Sequence, residues 1–527
     1  MSILKQPNPL LRSLSRESSF ALFFTLLYAM LLAWFMGFHE LWFDETEPWL
    51  LALYSNSYAE LLHNKRFEGH PNLWYSLLFV ITKFTTNLQA LKITQAAFAV
   101  GFVYVFLRHA PFSRLFRILF CFGYYGLFEY GLISRLYAIE LFTLFLVCTF
   151  YPKRFTHWYL YLLLLVLLAQ TNLFGFLMAG ILGLLLFSEA FKLWKQTPHW
   201  AQISHLKKGV GILFWAAGCL FSLWSMVRPN ETNASLLTYF HPYYFYQSAA
   251  RVWQAFVPVP NFITTFWNTS LLRISLEIPL SAVLLTFLLV VFYRTKRLLF
   301  PLFLLFAALF VFFALKYEGS LRHHAHFFLY TLAFLWLKSY YDQGSSPAQR
   351  LKPAPTWPSA AISFCLTVFA ILQVVAGAYA LATDWQKPFY PGKQTTQFLK
   401  TLPSNYVFAT DEGVATSNIT AYLGKPVYNL PTGNLKSFYT LDPNEVNDLR
   451  PYVLLDWAMA LAQQKNAPVI LICRSELPYT WAFSPARFIA QFRGNTITQF
   501  AFFLYQIDPL PFPKKQMTAE YPAQQVQ

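Results

Sequence analysis

Residues 42–75 read WFDETEPWLLALYSNSYAELLHNKRFEGHPNLWY, and the rest of the chain is organised around this stretch. It holds Asp44, Glu45, Glu47, Glu60 and Glu68, five of the 24 acidic residues in a chain of 527. An apolar run long enough to cross a bilayer, Phe20 to Phe38, leads straight into it, and a second apolar run begins at Pro71. Taking a charge out of water is costly. Carboxylates this dense at the mouth of a span therefore either sit in water as a connector or face a cleft where a carboxylate does chemistry.

Composition fixes the class. The chain is 56% hydrophobic, 20% aromatic and only 12% charged, with 56 Phe. A soluble domain of this length could not hide so much apolar surface. Runs of roughly 18 or more apolar residues recur, each about long enough to cross ~30 Å of hydrocarbon as a helix. The net charge of +16 is not a nucleic-acid footprint, because the cations lie in particular connectors. Arg108, Arg114 and Arg117 share one, Lys153 and Arg154 another, Lys192, Lys195, Lys207 and Lys208 a third, and Arg294, Lys296 and Arg297 a fourth. Basic clusters in alternate connectors mark the cytoplasmic side of a polytopic helical membrane protein. The five Cys show neither metal spacing nor a pairing, and four of them fall in apolar spans.

The expected spans are residues 19–38, 88–107, 113–130, 134–151, 157–169, 173–190, 209–227, 272–293, 298–315, 321–338 and 358–382. That is about eleven crossings, or up to about thirteen if short apolar runs also cross. The run 71–84 is short. Charge parity favours its not crossing, since only then do all the basic connectors fall on one side. The first loop, 39–70, and a longer aromatic loop, 228–271, then lie outside, each with interfacial helices. After residue 383 no run reaches spanning length. Tyr406–Thr410, Pro426–Leu430, Pro468–Cys473 and Thr496–Ile507 read as strands, with helices over Val414–Leu423 and Val453–Gln464. Residues 383–513 thus read as a small α/β domain on the first loop's side, and 514–527 as a disordered tail.

Three polar clusters fall at outer span ends: Asp44 and Glu45 with Glu68, His70 and Pro71; Glu129 to Tyr137, which includes Arg135; and Lys316 to His326, which includes Arg322, His323 and His324. A carboxylate can act as general base, and an arginine can grip a phosphate bidentately. Together they point to group transfer from a lipid phosphate at the outer face. Each has a plainer explanation. Asp44 could cap an interfacial helix, His70 could start the next helix, Arg135 could snorkel to the interface, and Arg322 could be an anchor.

The loop after the first span resembles that of the GT-C superfamily of integral membrane glycosyltransferases. It is most similar to the bacterial branch of lipid-A aminoarabinose transferases and protein O-mannosyltransferases. The residues that carry the likeness are Trp42-Phe43-Asp44-Glu45, Glu68-Gly69-His70-Pro71, Ser134-Arg135-Leu136-Tyr137-Ala138 and Arg322-His323-His324. The resemblance implies an inverting transferase of a bacterial inner membrane, with active site and C-terminal domain periplasmic. Its donor would be a polyprenyl-phosphate-linked sugar, and its acceptor an envelope glycolipid, glycan or protein. Asp44 would be the catalytic carboxylate and Glu45 its neighbour, with a divalent cation on that pair if the enzyme uses one. Glu68, His70, Glu129, Arg135, Tyr137, Arg322, His323 and His324 would bind substrate. Two departures stand out: Asn72 replaces the second Pro of a common His-Pro-Pro, and Ser134, not a Glu, precedes Arg135. The rival functions are a carrier or flippase for lipid-linked saccharides, whose ionisable groups should line a mid-membrane path, and a structural subunit of an envelope assembly.

Overall fold

The computed structural model describes residues 9–196, 205–227, 242–342, 357–440, 450–478, 485–494 and 500–509. The expected disordered tail, the loop residues 228–241 and most of the polar linker before Pro358 lie outside them. In chain order the helices begin with α1 (Pro9–Phe38), α2 (Phe43–Tyr54), α3 (Tyr58–Asn64), α4 (Leu73–Thr82), α5 (Gln89–His109) and α6 (Arg114–Cys121). A π-helix (Tyr124–Leu132) follows, then α7 (Tyr137–Phe150), α8 (Trp158–Ala169), α9 (Leu173–Gln196) and α10 (His205–Met226). Next come α11 (Pro242–Phe256), α12 (Ile274–Phe292), α13 (Lys296–Leu315), α14 (Leu321–His324), α15 (His326–Asp342) and α16 (Trp357–Gln386).

Among the described residues seven helices are long and apolar enough to cross a membrane, namely α1, α5, α9, α10, α12, α13 and α16. They mark a multi-pass membrane protein. Four expected spans take another form. Residues 113–130 are α6 followed by the π-helix, 134–151 and 157–169 are the short helices α7 and α8, and 321–338 is broken between α14 and α15. At the first break α16 packs closely. A Cβ on Gly377 would come within 2.9 Å of the Tyr124 amide, so α16 can sit against the start of the π-helix only because that position is glycine.

Polar contacts orient the bundle. At one end Arg114 and Arg117 pair with Glu17 near the start of α1. At the other, Lys92 near the start of α5 donates to the main-chain carbonyls of Met36 and His39, 2.8 and 2.7 Å away. Hence α5 begins where α1 finishes. Helix α4, ten residues long, is held beside α2 by Thr82 donating to Ala52 and Lys83 to Ser55.

After α16 the chain forms α17 (Gly392–Leu399), β1 (Val407–Thr410), α18 (Ser417–Leu423), β2 (Val427–Asn429), β3 (Asn434–Lys436), α19 (Pro451–Lys465), β4 (Val469–Cys473), β5 (Ala486–Arg493) and β6 (Ala501–Ile507). The strands make one sheet in the order β3-β2-β1-β4-β6-β5. Strand β1 is parallel to β2 and β4, and the other pairings are antiparallel. The unbroken apolar run of β4 follows from burial on both faces. Val469, Leu471 and Cys473 join a core with Leu454, Ala458 and Leu461 of α19. Ile470 and Ile472 join the main core, which also holds Leu399 and Ile419. This region rests on the first loop: Leu41 donates to the Tyr422 hydroxyl at 2.8 Å, Asn418 to the Leu41 carbonyl at 3.3 Å and the Tyr439 amide to Glu47 at 3.1 Å.

Candidate functional site

The site is built on the first turn of α2. Trp42 is extended, and its amide donates to the Glu45 carboxylate at 3.0 Å, so Glu45 satisfies a group left over at the helix start. Asp44 does not cap the helix. Its Oδ2 accepts instead from Arg322 Nη2 at 3.0 Å and lies 3.7 Å from Arg135 Nη2. Arg135 also donates to the main-chain carbonyl of Asp44. Both guanidiniums are buried, with 8% and 9% of their side chains exposed, whereas the Asp44 side chain is 24% exposed. Three expected residues, far apart in the sequence, thus meet at one carboxylate.

The surroundings fix the two cations. Arg322 packs against the rings of Trp42 and Trp267, 5.2 and 5.3 Å from their centroids, where ring quadrupoles favour a cation; the two rings meet edge to face, 5.1 Å apart. The Tyr130 hydroxyl donates to its carbonyl. Trp267 and Tyr124 each donate to Glu129 Oε2 at 2.9 Å, so this expected acid supports Trp267 and does not touch Asp44. Tyr137 is within electrostatic range of both arginines, its ring 5.2 Å from that of Tyr130.

Glu45 has a different task. Fully buried, it accepts the Ser134 amide at 2.6 Å on one oxygen and the Trp42 amide and His39 Nε2 (3.2 Å) on the other. His39 Nδ1 reaches Asp384 at the end of α16, 2.9 Å away. Both ring nitrogens face carboxylates, which makes the ring an imidazolium. Burial works against that charge, but Asp384 and Glu45 outweigh it and raise the His39 pKa to about 9. This His39 link ties the first span, the first loop and the last span together.

Glu68 accepts from the Tyr75 hydroxyl at 3.1 Å; burial raises its pKa, with Arg135 pulling the other way. Gly69 takes φ +69°, a turn that favours glycine, and the carbonyl of His70 accepts from Lys65 Nζ at 2.7 Å. Lys65 also donates to Asn72 Oδ1 at 2.8 Å, so the residue that breaks the His-Pro-Pro pattern serves as a ligand for a buried lysine. His323 Nδ1 accepts the Ser320 amide at 2.9 Å, and His324 Nε2 donates to the Glu318 carbonyl at 2.9 Å. His326, the last residue of the third cluster, pairs with Glu140 at 2.9 Å, and Asn172 bonds the same carboxylate.

A divalent cation on Asp44 and Glu45 does not fit this arrangement. The two carboxylates point to different partners, Glu45 has both oxygens engaged, and Asp44 lies against two guanidiniums that would repel a metal. The described residues contain no group of three or more His, Cys, Asp and Glu side chains placed to hold a metal.

Sequence reasoning missed His39, Asp384 and Trp267. His39 carried a usable signal, lying between the first span and the Asp-Glu pair; Asp384 and Trp267 sit in segments with no pattern that sets them apart. No family model, curated protein or solved structure matches the chain.

Proposed function

We propose that this chain is an inverting glycosyltransferase that takes a sugar from a polyprenyl-phosphate carrier at the outer face of a bacterial inner membrane. The observation that carries the reading is the meeting of Asp44 with Arg135 and Arg322, which lie 91 and 278 residues away. Two buried cations beside a partly exposed carboxylate provide an anion site and a base side by side. Breaking the bond between the sugar and its phosphodiester leaves a phosphomonoester with one more negative charge. Fixed guanidiniums stabilise that developing charge in a site poor in water. Asp44 takes the acceptor's proton, and a single displacement at the anomeric carbon inverts it. Glu45 positions this machinery through the His39 link, and Glu68, His70, Tyr137, His323 and His324 line the donor and acceptor sides.

Lipid binding has support of its own. An open apolar groove of about 400 Å³ runs between α1, the π-helix and α16, lined by Leu31, Phe35, Phe122, Leu127, Val374 and Trp385. It suits a polyprenyl tail whose phosphate sits near Arg322. In this account the seven long helices and four shorter elements (α6 with the π-helix, α7, α8 and α15) give eleven crossings. The first loop and the α/β region, from about residue 383 to 513, are periplasmic, and the acceptor is an envelope glycolipid, glycan or protein. A carrier would need ionisable groups along a path. The deeper pair, Glu140 and His326, is instead closed off by Asn172 and the His323 carbonyl. The test is transfer by purified protein in proteoliposomes. Label should pass from a radiolabelled polyprenyl-phosphate sugar to an envelope acceptor, and not from a nucleotide sugar; transfer from the nucleotide sugar alone would refute the reading.

A further inference from the structure

Two guanidiniums converge on a single oxygen, Asp44 Oδ2. Both side chains are buried: Arg322 packs against a pair of touching tryptophan rings, and Arg135 is anchored on the Asp44 carbonyl. Each also has a buried Nε with no hydrogen-bond partner among the described residues. A buried donor without a partner is costly, so the pair is an anion socket with donors to spare for a larger oxyanion. The Asp44 side chain is the most exposed of the three, and a rotation about its Cα–Cβ bond would leave the main-chain contact to Arg135 intact.

Building on the glycosyltransferase reading, we propose that Asp44 and the donor's phosphate compete for the Arg135–Arg322 pair, so that donor binding is what releases the catalytic base. Before the donor binds, the lone pairs of Asp44 are engaged by guanidinium donors. The phosphate takes those donors, and the displaced carboxylate turns toward the acceptor hydroxyl. The acceptor oxygen then bonds the anomeric carbon as its proton passes to Asp44. The bond from that carbon to the phosphate oxygen breaks, and its electron pair leaves with the polyprenyl phosphate. When the lipid departs, Asp44 gives its proton to water and pairs with the arginines again. A base masked in this way does not activate water before a donor is present.

The competition has a measurable consequence: removing the Asp44 charge should strengthen phosphate binding. The probe is undecaprenyl phosphate, titrated into full-length protein in nanodiscs. Asp44→Asn should bind it on the order of tenfold more tightly than wild type, because one charge-assisted competitor is gone. Asp44→Glu, which keeps a competing carboxylate, should show no such gain, and Asp44→Ala repeats the test should Asn disturb the fold. Arg322→Lys and Arg135→Lys should bind more weakly than wild type. If both lysine variants bind like wild type, the arginines are not the phosphate site, and the donor reading falls together with the competition. If binding needs the arginines but neither Asp44→Asn nor Asp44→Ala tightens it, the competition alone is wrong.

Discussion

Asp44 and Glu45 are neighbours in sequence with opposite fates. Glu45 points inward to His39, Trp42 and Ser134, whereas Asp44 points to the two arginines. The buried His39 link makes a stability claim. His39 has its pKa raised from 6.5 to about 9 in the folded protein, so its contribution is fully present below about pH 6.5 and is lost as pH rises through about 9. His39→Gln leaves Glu45 and Asp384 without their shared cation, and removing one partner of a buried pair costs about 3–5 kcal/mol. Thermal unfolding in detergent should show wild type losing stability across that window, and the variant starting lower with a flatter slope. Equal slopes would mean that the ring carries no charge. Asp44, Arg135 and Arg322 were legible in the sequence because charged residues at span ends are rare enough to stand out. The His39–Asp384 contact was not: it joins residues 345 positions apart, and neither has a local pattern that names the other.

Among the elements, length and hydropathy located the long helices, and the apolar runs of β1, β2, β4 and β6 located the inner strands. What they could not reveal were β3 and β5. Strand β3 is largely exposed at one edge of the sheet, and β5, at the other, has intermediate and exposed positions without clear alternation. An edge strand is recognised by its pairing partner more than by its own sequence. The breaks at the π-helix and between α14 and α15 were likewise hidden, because the apolar pattern does not mark them. The turn into α4 gives a sharper test. Lys65 donates to His70 and Asn72, and burial lowers its pKa to about 8. Asn72→Pro would restore the His-Pro-Pro pattern yet remove one of the acceptors of a buried cation. It should lower stability by about 1–3 kcal/mol, seen as a fall in the unfolding midpoint. A midpoint equal to wild type would mean that the Lys65–Asn72 bond contributes nothing.

For the whole molecule, charge placement had already favoured a first loop that returns to the side it left. The bonds of Lys92 to Met36 and His39 set the start of α5 beside the end of α1. Single cysteines tested from outside intact cells extend this to membrane orientation. Position 63 in the first loop should label with an impermeant maleimide, and position 114, beside Glu17, should not; the reverse would invert the topology. The five native cysteines are all buried or half-buried, which keeps the background low. In the proposed reading a lipid donor and an envelope acceptor meet at Asp44, and the central claim is that Asp44 is the base. Because Glu45, not Asp44, bonds the amide at the start of α2, Asp44→Asn should leave folding intact and should not weaken lipid binding. The decisive measurement is sugar transfer by purified Asp44→Asn protein from a radiolabelled polyprenyl-phosphate sugar. The account predicts a fall of about 10²–10⁴-fold relative to wild type, and near-normal transfer would contradict it.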